Sequence, residues 1–365
     1  MIRILHVLGG LDRGGAETMV MNLYRAIDKT KVQFVFITHT NHRQAYTEEI
    51  EKLGGKIYYF PKFKGINYFQ LKGIWKNFFK DHPEYKILHS HVRSYASLYL
   101  PIAKKAGLKT IIHSHSTSNG KGLSSFVKQM MQFPLRYQAD YFFGCSKEAG
   151  EWLFGKKVVE SSKYHILKNA IDTEKYTFNE ESRAQYREKL RLGNKLTYVH
   201  VGRFHPSKNH TFLLNLFAEI HRRNPNTVLL LVGDGPLHSS IQTQIEELCL
   251  QDDVLLLGSR DDIPEILHAA DCFLFPSLWE GFGMVAVEAQ ATGLPCICSD
   301  MVPSSVKVTD FCYFISTDDL LAWVDMSMQN TRYALSMQNE ENVNGIESFD
   351  IKKSAAELQS FYLNV

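Results

Sequence analysis

The chain has 365 residues, which at about 150 residues per domain predicts roughly two domains. Hydrophobic residues make up 44% and charged residues 22%, a globular mix that excludes disorder, collagen and a coiled coil as descriptions of the whole chain. No apolar run approaches the roughly 18–20 residues of a membrane-spanning helix. The opening Met1-Ile2-Arg3-Ile4 has no features of a secretory signal, so we expect a cytoplasmic protein.

Six cysteines are present without a CxxC pair, and most lie in apolar strand patterns. We therefore expect buried free thiols in a reducing compartment. They are Cys145, Cys249, Cys272, Cys296, Cys298 and Cys312.

The charge is divided unevenly along the chain. Residues 1–168 contain 26 of the 41 Lys and Arg but only 12 of the 39 Asp and Glu, so the remainder of the chain is acidic. A basic half attracts nucleic acid, anionic lipid or an acidic substrate. Ordinary solvated surface is the alternative interpretation.

Short apolar runs alternate with amphipathic stretches, which predicts parallel strands joined by crossover helices. In the first half the expected strands are Ile2–Leu8, Gln33–Thr38, Lys56–Phe60, Ile87–His91, Thr110–Ser114, Tyr141–Cys145 and Tyr164–Leu167. The expected helices are Ala16–Ile27, Gln44–Leu53, Tyr68–Phe79, Tyr95–Ala106 and Phe126–Gln138.

The same pattern restarts after a polar bridge with one helical piece at Ser182–Leu190. Its expected strands are Leu196–Gly202, Val228–Val232, Val254–Leu257, Cys272–Phe275 and Cys296–Ser299. We predict two doubly wound α/β domains, residues 1–168 and 169–349, with a helix in residues 350–365 that packs back on the first. Ligands of such folds bind at the carboxyl ends of the strands, so we expect a site in a cleft between the domains.

A glycine-rich loop, Gly9 to Glu17, follows the first strand. Gly14 and Gly15 would expose backbone amides at the start of a helix, which suits an anion. The spacing is not that of a GxGxxG fingerprint, which disfavours a nicotinamide dehydrogenase. A turn that merely needs glycine is the alternative.

Two cations lie five residues apart in the loop Gly202 to Asn209. Arg203 and Lys208 flank Pro206, where we expect a helix to begin. Two cations at a strand end suit a diphosphate, and solvated surface charges are the alternative.

The loop from Phe275 to Glu288 joins a strand to a helix expected to begin near Met284. Glu280 lies in the loop and can accept hydrogen bonds from sugar hydroxyls, whereas Glu288 lies one turn into the helix. Stabilisation of the helix dipole is the alternative role for Glu288. Gly281 and Gly283 would expose amides at a helix N-terminus.

These loops together resemble the retaining glycosyltransferases of family 4. The Gly-Gly-Ala-Glu loop, the Gly-Arg-x4-Lys element and the Glu-x7-Glu element occur in the family's order and spacing. The segments Asn169-Ala170-Ile171-Asp172 and Gly233-Asp234-Gly235-Pro236 match further motifs, and the opening stretch is most similar to the exopolysaccharide and capsule-synthesis branch. The likeness covers essentially the whole chain and implies the GT-B fold of two Rossmann-like domains.

The resemblance also implies roles for individual residues. Arg203 and Lys208 would hold the diphosphate of a nucleotide sugar, Glu280 would position the sugar, and Glu288 would bind the ribose. Backbone groups near the donor would be those of Gly14, Gly15, Gly202, Gly233, Gly281, Phe282, Gly283, Met284 and Val285. Arg260 would border the nucleobase, and His115 would contact the donor sugar.

Histidines raise the question of a metal. His89 with His91, and His113 with His115, each place two imidazoles on one side of a strand. No carboxylate or Cys lies at a supporting spacing and no DxD motif is present, so we expect no metal and no cofactor. The histidines other than His115 are expected to be packed or hydrogen-bonded.

The resemblance implies transfer of a hexosyl or N-acetylhexosaminyl unit, with retention, from a nucleotide sugar, and among nucleotide sugars it favours a UDP-sugar. A front-face route would need no protein nucleophile. The alternative mechanism uses Glu280 as a covalent nucleophile. A sugar-nucleotide 2-epimerase of the same architecture is an alternative enzyme. A nucleic-acid-binding protein is disfavoured because aromatics are not interleaved with Arg in the basic half.

Two basic segments are candidates for contact with an anionic membrane surface. In the first, Lys72, Lys76 and Lys80 accompany Leu71, Ile74, Trp75 and Phe78, with Lys62 and Lys64 nearby. In the second, residues 121–136 combine Lys121 and Arg136 with Phe126, Val127, Met130, Met131 and Phe133. A core-facing stripe with Lys outside is the alternative. Together with the resemblance, this predicts a lipid-linked saccharide acceptor at the inner face of the plasma membrane.

Overall fold

The computed structural model describes residues 1–40, 42–115, 123–332 and 345–365, with side chains omitted for 123–126. The chain divides into two compact units, which we call unit 1 (Met1–Ile171 with Asp350–Val365) and unit 2 (Asp172–Phe349). The division falls three residues beyond the expected boundary at Lys168, inside the Asn-Ala-Ile-Asp stretch.

Unit 1 is built on a seven-stranded parallel sheet in the order β3-β2-β1-β4-β5-β6-β7. Its strands are β1 Ile2–Leu8, β2 Val32–Thr38, β3 Lys56–Tyr59, β4 Ile87–Ser90, β5 Lys109–Ser114, β6 Tyr141–Gly144 and β7 Tyr164–Ile166. Its helices are α1 Gly15–Ala26, α2 Thr47–Lys52, α3 Tyr68–Asp81, α4 Ala96–Lys105, α5 Leu123–Gln132, α6 Leu135–Gln138, α7 Lys147–Phe154, α8 Lys156–Val159 and, at the end of the chain, α16 Ile351–Asn364.

Unit 2 is built on a six-stranded parallel sheet in the order β10-β9-β8-β11-β12-β13. Its strands are β8 Leu196–Val201, β9 Thr227–Val232, β10 Val254–Gly258, β11 Cys272–Phe275, β12 Cys296–Ser299 and β13 Cys312–Ile315. Its helices are α9 Thr173–Tyr176, α10 Glu180–Lys189, α11 His210–Arg223, α12 His238–Glu247, α13 Ile263–Ala269, α14 Met284–Ala291 and α15 Leu320–Gln329.

The buried strands explain why both sheets form. Strands β2 and β9 are buried along their whole lengths, as parallel strands covered on both faces must be. In each sheet the first strand of the unit lies inside the sheet, so the direction of winding reverses beside it. Both units are therefore doubly wound, as the alternating pattern predicts.

The C-terminal helix α16 completes the core of unit 1. Ile351, Ala355, Leu358 and Tyr362 are buried with residues of α1 and of strands β1 and β2. The side chain of Gln359 also accepts a hydrogen bond from the backbone N–H of Asp28 at 3.0 Å.

One predicted helix is wrong, and other elements were missed. The helix expected over Phe126–Gln138 is two helices, because Pro134 has no N–H with which to continue α5. Helix α7 and strand β13 were not predicted. Of the six thiols, all free, five are buried but Cys249 is exposed in a turn with φ of 56°. Among the described residues, no helix is both long and apolar enough to span a membrane.

Candidate functional site

All six strands of unit 2 are parallel, so their carboxyl ends meet at one edge of the sheet. The loops after β8, β9, β10 and β11 at this edge carry the unit 2 residues that the sequence singles out, except Met284, Val285 and Glu288, which lie in helix α14. We describe these loops first and then the corresponding edge of unit 1.

The loop after β8 does not run directly into a helix. A 3-10 turn at Pro206–Lys208 is followed by Asn209 with φ of 57°, and α11 begins only at His210. The expected helix start at Pro206 is therefore wrong, because the left-handed residue separates the turn from the helix. A Cβ on Gly202 would lie 3.2 Å from Cε of Lys208, so glycine leaves room for the lysine stem.

Lys208 is paired with Glu280. The ammonium contacts Oε1 of the carboxylate, and the two side chains are only 16% and 12% exposed. The ammonium also lies 4.9 Å from the ring centroid of Phe275. The backbone N–H of Leu278 donates to the carbonyl of Ser207 at 2.8 Å, which joins the two loops. This partly buried ion pair is held by backbone as well as by side chains.

Arg203 is placed differently from Lys208. Its side chain is exposed and makes no hydrogen bond or ion pair with any residue that the structure describes. Because a guanidinium is a fork of donors that matches a phosphate, this side chain keeps its donors available for a ligand. The structure thus pairs one of the two predicted cations and leaves the other exposed.

Glycines allow the loop after β9 to touch the loop after β8. Gly233 has φ of 143°, and a Cβ there would lie 2.0 Å from the carbonyl oxygen of Gly202. A Cβ on Gly235 would lie 2.5 Å from the carbonyl oxygen of Phe204. The backbone N–H of Phe204 donates to the carbonyl oxygen of Asp234 across the same contact, at 3.0 Å. The two loops therefore form one backbone-packed surface, and a donor contact at Gly233 stays a prediction.

The loop after β11 ends in an uncapped helix. Gly283 is the N-cap of α14 with φ of 96°, and no side chain accepts from the first amides, which include those of Met284 and Val285. Such amides, at the positive end of the helix dipole, favour an anion. Gly281 is exposed, and the ring of Phe282 lies 5.9 Å from that of Phe349.

Glu288 lies in the second turn of α14, so no acidic residue occupies the first turn and the helix-dipole alternative is wrong. Burial raises its pKa to about 7, opposed by a hydrogen bond with Tyr176 and by the charge of Lys175. The side chain is therefore substantially protonated near neutral pH. Tyr176, on α9, was missed because it lies 112 residues away along the chain in a polar segment.

Arg260, after β10, forms an ion pair with Asp262, two residues further along the chain. Its Nε donates to Oδ1 at 2.7 Å, and Oδ2 of the same carboxylate accepts from the Tyr186 hydroxyl at 2.8 Å. These bonds hold the pKa of Asp262 well below its usual range. Arg260 thus joins the strand end to α10, and a role at the nucleobase stays a prediction.

In unit 1, an acidic side chain occupies the expected anion loop. A Cβ on Gly14 would lie 2.3 Å from Oε2 of Glu17, while Gly15 has open space around it. Burial raises the pKa of Glu17, and the charge of Asp12 raises it further, against a backbone hydrogen bond at Glu17. A phosphate at Gly14 would have to displace this carboxyl, so the geometry supports the predicted cradle in unit 1 less than it supports the one in unit 2.

Five histidines of unit 1 form a cluster, and we call it the histidine cluster: His6, His89, His91, His113 and His115. The sequence predicted the two neighbouring pairs but missed His6, which comes from β1. Nδ1 of His6 lies 3.0 Å from Nε2 of His91, and Nδ1 of His91 lies 2.8 Å from Nε2 of His115. Nδ1 of His89 lies 2.6 Å from the hydroxyl of Tyr362. His115 lies just beyond β5, at the carboxyl edge of the sheet.

Two groups of three in this cluster bring a nitrogen from each ring within 4.8 Å of the others. They are His6, His89 and His91, and His91, His113 and His115. Imidazole nitrogens suit zinc or copper. In the described part of the chain, however, no carboxylate or thiolate joins either group, so a divalent cation would keep its full charge in a buried setting. The expectation of no metal stays a prediction.

The first of the two basic segments differs from its prediction. In α3, Leu71, Trp75 and Phe78 are buried in the core, so the core-facing alternative holds for them. The exposed apolar side chains are instead Ile66 at 93% and Phe69 at 82%.

In the second segment, Val127, Met130 and Phe133 are exposed, while Met131 packs on the core. Lys121 and the side chain of Phe126 lie outside the described residues.

Comparison with known proteins agrees with this geometry. Residues 13–175 match the family described as Glycosyltransferase Family 4, and residues 182–310 match Glycosyl transferases group 1. The chain is 40% identical over 311 residues to EpsF of Bacillus subtilis, which is assigned as a glycosyltransferase, covering 83% of this chain and 80% of that protein.

Two further matches are more distant. A UDP-Gal:alpha-D-GlcNAc-diphosphoundecaprenol alpha-1,3-galactosyltransferase of Escherichia coli is 27% identical, over 77% of this chain and 76% of that protein. The crystal structure of Anabaena Alr3699/HepE in complex with UDP and glucose aligns with a TM-score of 0.80 at 18% identity, covering 100% of both chains. The chain is therefore a glycosyltransferase with the GT-B fold that belongs to glycosyltransferase family 4, in a branch with an exopolysaccharide-type relative.

Proposed function

We propose that the protein transfers a hexosyl or N-acetylhexosaminyl unit, with retention, from a nucleotide sugar to a hydroxyl of a growing lipid-linked surface polysaccharide. The observation that carries the proposal is the Lys208–Glu280 pair, held at a strand end in the loop that leads to the uncapped helix α14. The names of the matched galactosyltransferase, which acts on a diphosphoundecaprenol-linked sugar, and of the HepE complex with UDP support a UDP-sugar and a lipid-diphosphate acceptor.

The leaving group of such a donor is a nucleoside diphosphate, on which negative charge develops as the glycosidic bond breaks. The Lys208 ammonium, the Arg203 guanidinium and the first amides of α14 would stabilise that charge. A single preorganised donor of this kind contributes about 2.7–4 kcal/mol to lowering a barrier. Because Lys208 is already fixed by Glu280, it needs little reorganisation when the charge appears.

The ion pair also bears on the choice between mechanisms. A carboxylate engaged by an ammonium is a weaker nucleophile than a free one, so the contact favours Glu280 as a positioning group over a covalent nucleophile. The route we propose has the leaving phosphate take the proton of the acceptor hydroxyl on the same face of the sugar. No metal ion takes part in this route.

The direct test incubates the protein with a panel of nucleotide sugars and a synthetic lipid-diphosphate saccharide, with and without EDTA. We expect one product whose anomeric configuration, read from proton couplings by NMR, is that of the donor. Conversion of the donor to an epimer without acceptor would instead establish the epimerase. An inverted product, or activity lost in EDTA and restored by Mg²⁺, would contradict the mechanism.

We further propose that the protein works at the inner face of the plasma membrane through an exposed patch of unit 1, formed by Lys62, Lys64, Ile66 and Phe69. Ile66 and Phe69 are exposed apolar side chains next to exposed lysines, which suits an anionic lipid surface.

Vesicles containing phosphatidylglycerol should co-sediment the protein at low salt, and the double variant Ile66→Ser with Phe69→Ser should release it. Leu321→Ser, which removes an exposed apolar side chain from unit 2, is the matched control. Equal binding by the double variant and the control would contradict the patch.

A further inference from the structure

Three members of the histidine cluster form a continuous hydrogen-bonded chain, and we call His6, His91 and His115 the imidazole chain. His91 is the middle member, with Nε2 facing Nδ1 of His6 and Nδ1 facing Nε2 of His115. The rings of His6 and His91 are nearly parallel, at 12°, with centroids 5.3 Å apart. Each ring is carried by or directly follows a strand of the sheet, so the chain has a rigid support.

Burial keeps these rings neutral. It lowers the pKa of His91 well below its usual value, and it lowers the pKa of His115 to about 3 with help from the positive charge of Arg93. A neutral imidazole has one N–H and one lone pair. Since both nitrogens of His91 are hydrogen-bonded to a ring, His91 must donate at one and accept at the other.

The imidazole chain therefore has only two proton arrangements, and they differ in the protonation of His6 at its buried end. Nε2 of His6 is buried and has no hydrogen-bond partner. One arrangement leaves a lone pair there, and the other leaves an N–H. Among backbone groups a buried N–H without an acceptor is rarer than an under-satisfied carbonyl, and we apply the same preference to the imidazole. The favoured arrangement has His6 donating from Nδ1 to His91, and His91 donating from Nδ1 to His115.

We infer that the imidazole chain fixes the tautomer of His115. Because Nε2 of His115 accepts from His91, its proton must be on Nδ1, and that nitrogen is an obligate donor. The inference rests on the proposed transfer from a nucleotide sugar and on the predicted contact of His115 with the donor sugar. In that contact His115 gives a hydrogen bond to a sugar oxygen and accepts none. His91 is then a positioning residue for His115, and His6 fixes the direction of the chain.

The first experiment reads the tautomers directly in the full chain labelled with ¹⁵N-histidine, without substrate. Two-bond ¹H–¹⁵N correlation spectra at neutral pH should show neutral His115 and His91, each protonated at Nδ1. A proton on Nε2 of His115, or an imidazolium, overturns the inference. One tightly bound metal ion per chain in elemental analysis overturns it too, because the nitrogens would then be ligands. This readout needs no activity, so it stands apart from any failure of the proposed function.

The second experiment separates hydrogen bonding from packing. His91→Phe keeps a ring but removes both nitrogens, whereas His91→Gln keeps one donor and one acceptor. The control is His113→Phe: the ring of His113 stacks on that of His115 at 4.1 Å, but neither of its nitrogens has a partner. Thermal unfolding first establishes that each variant is folded.

We expect His91→Phe to release His115 into a mixture of tautomers and to lower kcat by about tenfold, the effect of one hydrogen bond. His91→Gln should restore most of the Nδ1–H population and most of kcat, and His113→Phe should change neither. An unchanged tautomer in His91→Phe, or an equal loss of kcat in His113→Phe, would overturn the role of His91.

Discussion

The two sheets are both doubly wound, but their carboxyl edges carry different side chains. Unit 1 places neutral imidazoles there, ending at His115, with their charged forms suppressed by burial. Unit 2 places ions there: the Lys208–Glu280 pair and the exposed Arg203. The doubly wound fold fixes where loops end, and each unit then fills that place with different side chains. Fold alone does not distinguish the two edges, and the charges of Lys208 and Arg203 are the reason we propose that the edge of unit 2 holds the leaving group.

Arg203→Ala is the strongest test of the difference between the two edges. Arg203 is exposed and has no ion pair in the described chain, so stability should not change. The kcat should fall by about 100- to 1000-fold, as for loss of one transition-state donor. Arg222→Ala, which removes a side chain that is 70% exposed on α11, is the matched control and should keep normal turnover. Near-normal kcat in Arg203→Ala would contradict the proposal that Arg203 stabilises the leaving group at the edge of unit 2.

A second variant breaks the backbone contact that supports this edge. Gly233→Ala would place a Cβ 2.0 Å from the carbonyl oxygen of Gly202, at a φ that side chains avoid. We expect the free energy of unfolding in urea to drop by more than about 2 kcal/mol. Gly73→Ala, inside α3 with open space around it, should instead stabilise by about 0.5–1 kcal/mol. Equal stability of Gly233→Ala and the wild type would show that the two loops can separate.

Glu288→Gln tests a carboxyl of unit 2 whose pKa burial raises to about 7. The folded protein binds this proton more tightly than the unfolded chain does, so the group makes unfolding easier as pH rises from about 4.5 to about 7. The variant should lose that part of the pH dependence in urea titrations. The exposed Glu181→Gln is the control, and an unchanged slope in Glu288→Gln would contradict the raised pKa.

The smallest expected effect belongs to unit 1. Tyr362→Phe removes the hydroxyl that is hydrogen-bonded to His89 at 2.6 Å and should lower the free energy of unfolding by about 1 kcal/mol. The histidine chemical shifts of the cluster should move with it. Tyr137→Phe, at a position 74% exposed, should have no effect on either. An equal loss of stability in both variants would contradict a specific contribution of the hydrogen bond between Tyr362 and His89.

Sequence predicted the elements whose signals are local. Strands such as Cys272–Phe275 and Cys296–Ser299 have the predicted bounds, because short apolar runs between turn residues define them. The break at Pro134 was predictable from its missing N–H and was overlooked. Helix α7 was missed although Ser146 is a favourable N-cap, because only eight residues separate that cap from Gly155.

The sequence predicted which residues belong to the site better than it predicted which of them contact each other. The Gly-Arg-x4-Lys element identified Lys208, but its partner Glu280 is 72 residues away. Likewise His6 is 85 residues from His91, and the carboxyl of Glu17 over Gly14 depends on a rotamer. Such pairings arise from tertiary structure, which no periodicity records.

The return of α16 has a consequence for biosynthesis. Because unit 1 contains residues from both ends of the described chain, unit 2 is inserted within it. During translation, the ribosome must complete all of unit 2 before Leu358 and Tyr362 can enter the core of the first unit. Until then, part of one face of the sheet of unit 1 stays uncovered. We expect chaperones to be needed at this stage of synthesis.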